Sequence, residues 1–234
     1  YGRRPEKLKE VSRCNNTSPR LTYFSYLKTK DLILSQNYTL NFHNNTRNYG
    51  KICVYQTVPD VNDPQLMSLA WFAEPAHPTT NVKFSWSIDY AFIWDETGPL
   101  VPGVVFDASQ TWPADLTASN HVDFTSDRAA LTFANQRGGA KPGTLYVHNG
   151  STVPFDVASV GVAMSGAGTF ARPAQPNLTF SFTPHPVYWV TFGDYEVGEV
   201  LDVESITNAQ QISFNPNIYN VDVTLNLDNT WTVR

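Results

Sequence analysis

Along Val82-Lys83-Phe84-Ser85-Trp86-Ser87-Ile88-Asp89 every even position is apolar and every odd one polar. A period of two sends alternate side chains to opposite faces, so this segment predicts a strand with one buried and one wet face. Residues 177–183 repeat the pattern, with Leu178, Phe180 and Phe182 on the apolar side. Tyr38, Leu40 and Phe42 alternate with Thr39 and Asn41. Asn44-Asn45-Thr46 and Asn48-Tyr49-Gly50 then supply turn chemistry before Ile52-Cys53-Val54-Tyr55, which predicts a hairpin. Short apolar runs at 104–106, 122–124, 131–133, 145–147, 160–162, 188–192, 212–214, 221–225 and 231–233 fall between Pro, Gly and Asn. Together they predict an all-β fold, an antiparallel two-sheet β-sandwich of jelly-roll or immunoglobulin-like type. Phe84, Trp86, Ile88, Leu178, Phe180 and Phe182 are expected to be buried together in it. Residues 66–72 fit a buried strand or a helical turn equally, and no internal repeat of fixed period is visible.

Residues 1–36 break the pattern. Pro5-Glu6-Lys7-Leu8-Lys9-Glu10-Val11 has helix-forming composition but no stripe long enough to stand alone, so 1–36 reads as an N-terminal arm and 37–234 as one domain. Charge separates the same two parts. Residues 1–30 hold eight Lys and Arg against Glu6 and Glu10, a balance of +6, which leaves −11 on the rest of a chain of net charge −5. A basic arm on an acidic body suits docking on a neighbouring copy, and an acidic body repels nucleic acid. The expected partner is therefore a second copy, reached through the arm. Aromatic residues at 13% and charged residues at only 16% supply a sizeable core and agree with pleated surfaces rather than helical bundles.

The chemistry-bearing residues are sparse. Cys14 and Cys53 are too few for a disulfide framework and lack zinc-site spacing, which favours a reduced, cytoplasmic setting. Six N-x-S/T triplets, at Asn15, Asn16, Asn37, Asn44, Asn149 and Asn177, leave secretion open. No apolar stretch reaches the ~20 residues of a membrane span. Ser165-Gly166-Ala167-Gly168 lacks the elbow of a serine nucleophile and reads as a tight turn. Asp60, Asn62 and Asp63 offer oxygen donors without the glycine and bidentate Glu of a calcium loop. The five histidines stand singly. No phosphate-cradling or dinucleotide fingerprint is present, and neither cofactor nor metal is expected. Trp94, Glu96 and Trp112 could form a sugar platform, an indole stacking on a pyranose face while the carboxylate accepts hydroxyl bonds; the competing reading places both indoles in the core.

The strings Cys53-Val54-Tyr55-Gln56-Thr57, Met67-Ser68-Leu69-Ala70-Trp71-Phe72 and the run 94–103 from Trp94 to Gly103 resemble the rhizosphere-induced protein (RhiA-like) family. The likeness continues through Gln175-Pro176-Asn177-Leu178, residues 184–193 and residues 228–233, and so spans about 38–234. It implies an abundant soluble bacterial protein whose production follows population density and plant-associated growth, with no catalytic residues to carry over. The expected function is thus a non-enzymatic structural or interaction protein that self-associates, with a lectin-like carbohydrate-binding module as the alternative.

Overall fold

A computed structural model describes residues 36–57, 63–139, 141–185 and 187–234. The basic arm, Cys14, Asp60 and Asn62 lie outside them. Among the described residues the regular structure is all strand except for a single turn of 3-10 helix at Val203–Ser205. The first strands are β1 Asn37–Asn44, β2 Gly50–Thr57, β3 Met67–Ser68, β4 Ala70–Ala76 and β5 Asn81–Ser87. Next come β6 Tyr90–Asp95, β7 Gln110–Ala114, β8 His121–Asp127 and β9 Ala130–Arg137. After them run β10 Leu145–Asn149, β11 Ser159–Met164, β12 Ala167–Pro173 and β13 Thr179–Phe182. The last four are β14 Val187–Gly193, β15 Ala209–Ile212, β16 Asn220–Leu225 and β17 Trp231–Val233. No helix among the described residues is long and apolar enough to cross a membrane.

These strands make four sheets, in the orders β17-β16-β1-β5, β15-β14-β2-β4, β13-β10-β8-β9 and β3-β12-β11-β6-β7. The first two face each other across Leu40, Phe42, Ile52, Val54, Trp71, Phe84, Trp86, Val190, Val221 and Val223. The last two face each other across Phe92, Trp94, Phe124, Phe133, Val147, Val162, Phe180 and Phe182. The single two-sheet sandwich expected from the sequence is therefore corrected to two layer pairs, each with its own core. The alternation is real: Phe84 and Trp86 are buried in one core, Phe180 and Phe182 in the other. Ile88 and Leu178 are instead 47% and 44% exposed, because β5 stops at Ser87 and β13 starts at Thr179, so the alternation outruns the ladder that gives it a buried face. The expected hairpin fails for a similar reason. β1 pairs with β5 and β16, and β2 with β4 and β14, so the turn at 45–49 carries the chain between sheets. Residues 67–72 are extended and not helical: β3 joins β12, and Trp71 sits fully buried in β4.

The layer pairs meet along a seam. The Trp71 indole N–H donates to the Met164 carbonyl at 2.8 Å, and Met164, the last residue of β11, inserts into the other pair's core. Leu69 N–H donates to Thr169 O at 3.0 Å, and Ser165 N–H to Asp89 O at 3.1 Å. Trp71 meets Trp86 edge-on at 5.2 Å, a geometry that aromatic quadrupoles favour, and Tyr188 lies tilted 5.4 Å from Trp86. Ser165 and Gly166, both at positive φ, form the tight β11–β12 turn expected of them. We expect Trp71→Phe, which keeps the ring packing but strands the Met164 carbonyl, to cost about 1–3 kcal/mol, and Trp71→Ala about 3–5 kcal/mol. Denaturant midpoints at unchanged m-value check both.

Candidate functional site

The outer faces of the two central sheets are covered by irregular chain rather than by more strands. Residues 198–201 thread between 68–70 and 103–106: Ala70 N–H donates to Glu199 O and Gly198 N–H to Ala70 O, each at 2.8 Å. On the far side Phe106 N–H donates to Gly198 O at 2.9 Å and Val200 N–H to Val104 O at 2.8 Å. This strap covers Ile93, Ala163 and Ala171 on β3-β12-β11-β6-β7, with Leu69 and Phe106 beside them, and Cys53, Tyr55 and Ala70 on β15-β14-β2-β4. Gly198 permits it: its φ is +83°, and a Cβ there would collide with the Phe106 carbonyl oxygen. Burial, with Glu199 second, pushes the Cys53 thiol far up, so it stays protonated and inert.

The strap walls two clefts that share Pro102, Leu201 and Asp202. The larger, about 540 Å³, has Asp63, Asp202 and Glu204 on its rim and Leu66, Met67 and Phe170 among its lining. The second, about 470 Å³, is bordered by Thr191, Tyr195, Glu199, Ser205 and Asn208. Asp202 accepts from the Ser205 hydroxyl and Glu199 from the Glu196 N–H, which orients both carboxylates, while Asp63 is paired with Arg172. An acidic rim over an apolar floor suits cationic, partly apolar ligands. Sequence reasoning missed this site. The signal was present as Asp194, Glu196, Glu199, Asp202 and Glu204 spaced around Gly198, but nothing in it says that the segment lies on a sheet face.

A second polar group lies on the outer face of β13-β10-β8-β9. Arg137 donates to Asp123 at 2.9 Å and contacts His121 Nε2 at 3.0 Å, and Asn135 donates to Asp123 at 3.0 Å. Burial pushes the Asp123 carboxyl up, but the bonds from Arg137 and Asn135 and the Arg137 charge outweigh it and hold the carboxyl below its usual range. Burial and then Arg137 push the His121 imidazole down, against the pull of Asp123. His121 is thus neutral at neutral pH and accepts from Arg137. His148 Nδ1 contacts the Thr179 hydroxyl at 2.9 Å and His43 Nδ1 contacts Asn81 Oδ1 at 2.8 Å, so both are structural partners.

The residues picked from the sequence fall apart. Trp94 is buried at 7% exposure, packs 5.3 Å from Phe124, and donates its indole N–H to Gln110 at 2.8 Å. Gln110 in turn accepts from Phe133 N–H at 2.9 Å, so Trp94 and Gln110 tie β6 and β7 to β9. Trp112 is half-buried on the same core, 5.9 Å from Phe133. Glu96 is exposed beyond the end of β6. Both indoles turn inward while the carboxylate points out, and Trp94 has no free ring face for a pyranose. Of the triplet asparagines, Asn37 and Asn177 are exposed, whereas Asn44 and Asn149 are fully buried, Asn44 donating to the carbonyls of Asn48 and Ala76. Among the described residues no group of three or more His, Cys, Asp or Glu is placed to hold a metal ion.

Comparison with known proteins gives one consistent answer. The RhiA family model matches residues 35–234. Protein RhiA of Rhizobium leguminosarum bv. viciae is 34% identical over 201 residues, covering 84% of this chain and 86% of that protein. No solved structure matches.

Two outcomes follow for the strap and the polar face. Gly198→Ala should cost about 1–3 kcal/mol through backbone strain and should raise the labelling rate of Cys53 by a thiol reagent, since the strap is what covers it. The His121 pKa is depressed on folding, so the stability it supports is present above its unfolded value of 6.5 and falls as pH drops below that. Thermal melts between pH 7.5 and 5 should show a decline that His121→Gln reduces.

Proposed function

Since the chain belongs to the RhiA family, for which the comparisons supply a name and no reaction, we propose that it is a non-enzymatic structural or interaction protein that associates with further copies of itself. The observation that carries this reading is the acidic pair of clefts beside a chain whose first 30 residues carry +6. The arm of a neighbouring copy is the nearest cationic segment of matching chemistry. Exposed ion pairs contribute only about 0–1 kcal/mol each, so charge steers the encounter and apolar contact must hold it. The arm brings Leu21, Tyr23, Phe24, Tyr26 and Leu27, and the larger cleft offers Leu66, Met67 and Phe170. The two layer pairs, read as β-sandwiches, act as a rigid frame that presents the clefts.

The test removes one charge set at a time. Light scattering of the full chain, of a chain lacking residues 1–36, and of Asp202→Asn with Glu204→Gln should show salt-sensitive assemblies, present at low salt and dissociating at high salt, only for the full chain. If full-length and truncated chains are both monomers at high concentration in low salt, self-association through the arm is wrong. A carbohydrate reading now rests on Trp112 and Glu96 alone. Glycan-array binding that is lost in Trp112→Ala would favour it over self-association.

A further inference from the structure

The two sandwiches have one topology. In the first, the sheets run β15-β14-β2-β4 and β17-β16-β1-β5; in the second they run β7-β6-β11-β12 and β9-β8-β10-β13, with β3 added beyond β12. Exchanging β14–β17 for β6–β9, and β1, β2, β4 and β5 for β10, β11, β12 and β13, turns one into the other. Strand directions agree as well. Among the described residues each sandwich has one parallel pairing, β1 with β16 in the first and β10 with β8 in the second, at the same position in the order.

The sequences agree at the matched places. Thr39-Leu40-Asn41-Phe42-His43-Asn44 corresponds to Thr144-Leu145-Tyr146-Val147-His148-Asn149, and Phe72-Ala73-Glu74-Pro75-Ala76-His77-Pro78 to Phe170-Ala171-Arg172-Pro173-Ala174-Gln175-Pro176. Their backbones match in detail. Asn44 and Asn149 are both fully buried. Asn44 O accepts from Thr79 N–H at 2.7 Å and Asn149 O from Asn177 N–H at 2.9 Å, and both donors sit at positive φ, 65° and 63°. Asn44 N–H donates to Thr80 O at 3.0 Å and Asn149 N–H to Leu178 O at 2.8 Å. The offset drifts from 105 residues at Thr39/Thr144 to 98 at Phe72/Phe170 and at Tyr90/Tyr188, which is why no fixed period shows in the sequence.

Chain order makes the arrangement unusual. One repeat runs from β1 to β9 and the next from β10 to β17, yet the first sandwich joins β1, β2, β4 and β5 to β14–β17 and the second joins β6–β9 to β10–β13, with β3 reaching across to β12. Each sandwich is thus built from the first half of one repeat and the second half of the other. We infer that the chain is a tandem duplication whose repeats have exchanged halves, and that the same exchange runs between molecules: the interface that receives residues 37–87 fits the same segment of a second copy of this chain.

The geometry at the crossover carries the second step. Only Ile88 and Asp89 link β5 to β6, and Ile88 is 47% exposed. Trp86 at the end of β5 lies 5.4 Å from Tyr188 at the start of β14. Tyr90, at the start of β6, packs against both cores, and burial followed by Tyr188 and Tyr38 pushes its phenol up to about 12. Strand ends from both repeats therefore converge, and an intermolecular exchange changes only the course of this connector. Every core contact, the Trp71–Met164 bond included, is the same whether residues 37–87 come from the same molecule or another. Mass action and connector strain then decide between the forms, and short hinges favour the exchanged one. This step does not depend on the basic arm.

A covalent tag reads it out in the full chain. Asn41 and Asp222 face each other on β1 and β16, their side chains 2.8 Å apart, so Asn41→Cys with Asp222→Cys, in a Cys14→Ser background, marks which molecule supplies each half. The protein is refolded reduced at low and high concentration, dimers are isolated at high salt, oxidised, and run denatured without reductant. Exchanged dimers give chains linked to one another, monomers give only internal links, and while monomer predominates the dimer-to-monomer ratio rises about tenfold per tenfold in concentration. Deleting Ile88 and Asp89 should raise that ratio further. The neighbouring pair His43→Cys with Thr224→Cys repeats the reading in a second register. Dimers carrying only internal links, or no dimer at any concentration even with the connector deleted, overturn the proposal; dimers that dissolve in salt and carry only internal links are arm-docked and leave the proposed function standing without it.

Discussion

The aromatic seam is the contact on which the rest of the molecule depends. Trp71, Trp86 and Tyr188 pack within about 6 Å of one another, with Met164 entering from the second sandwich. Burial of these rings is non-directional, but the single indole-to-carbonyl bond from Trp71 to Met164 is not, and it fixes the register of one sandwich on the other. With that register set, Leu69 and Val200 fall opposite each other and the strap can lie across both central sheets. The clefts are therefore products of the seam rather than features of either sandwich alone.

Much of the strand content was legible in residue order. Val82 to Trp86 and Thr179 to Phe182 alternate because half of each strand must face water, and that constraint acts on every residue of the strand. Pairing partners were not legible. A period of two says which residues share a face and nothing about which strand lies alongside, so β1 and β2 looked like a hairpin although they belong to different sheets. The limits of Ile88 and Leu178 failed in the same way, since the pattern continued where the ladder stopped. For the candidate site, Trp94 and Trp112 fit either a sugar platform or a core by spacing, and their indoles complete a core; the strap that does wall the clefts has neither periodicity nor a motif, only Gly198 and scattered acids.

The repeats have diverged where they no longer share a task. Glu74 and Arg172 occupy matched positions in the Phe-Ala-x-Pro-Ala strings. Glu74 is exposed to solvent, whereas Arg172 pairs with Asp63 and lies 3.5 Å over the Phe180 ring, holding residues 63–65 near the larger cleft. By contrast Asn44 and Asn149, which receive the turn after β4 and β12 through matching backbone bonds, are the same residue in both repeats. The duplicated scaffold was kept, and one copy of it became the floor of a site.

The parallel pairing of β1 with β16 also governs how the protein must be made. Asn41 and Asp222 are 181 positions apart, so a growing polypeptide leaving the ribosome displays Leu40, Phe42, Phe84 and Trp86 with only β2 and β4 to face them until β14–β17 emerge. A product that stops before residue 187 has a second sandwich that can close and a first that cannot. Such a product bears an unpaired, aromatic-rich β-sheet edge, the kind of surface that chaperones hold and proteases clear.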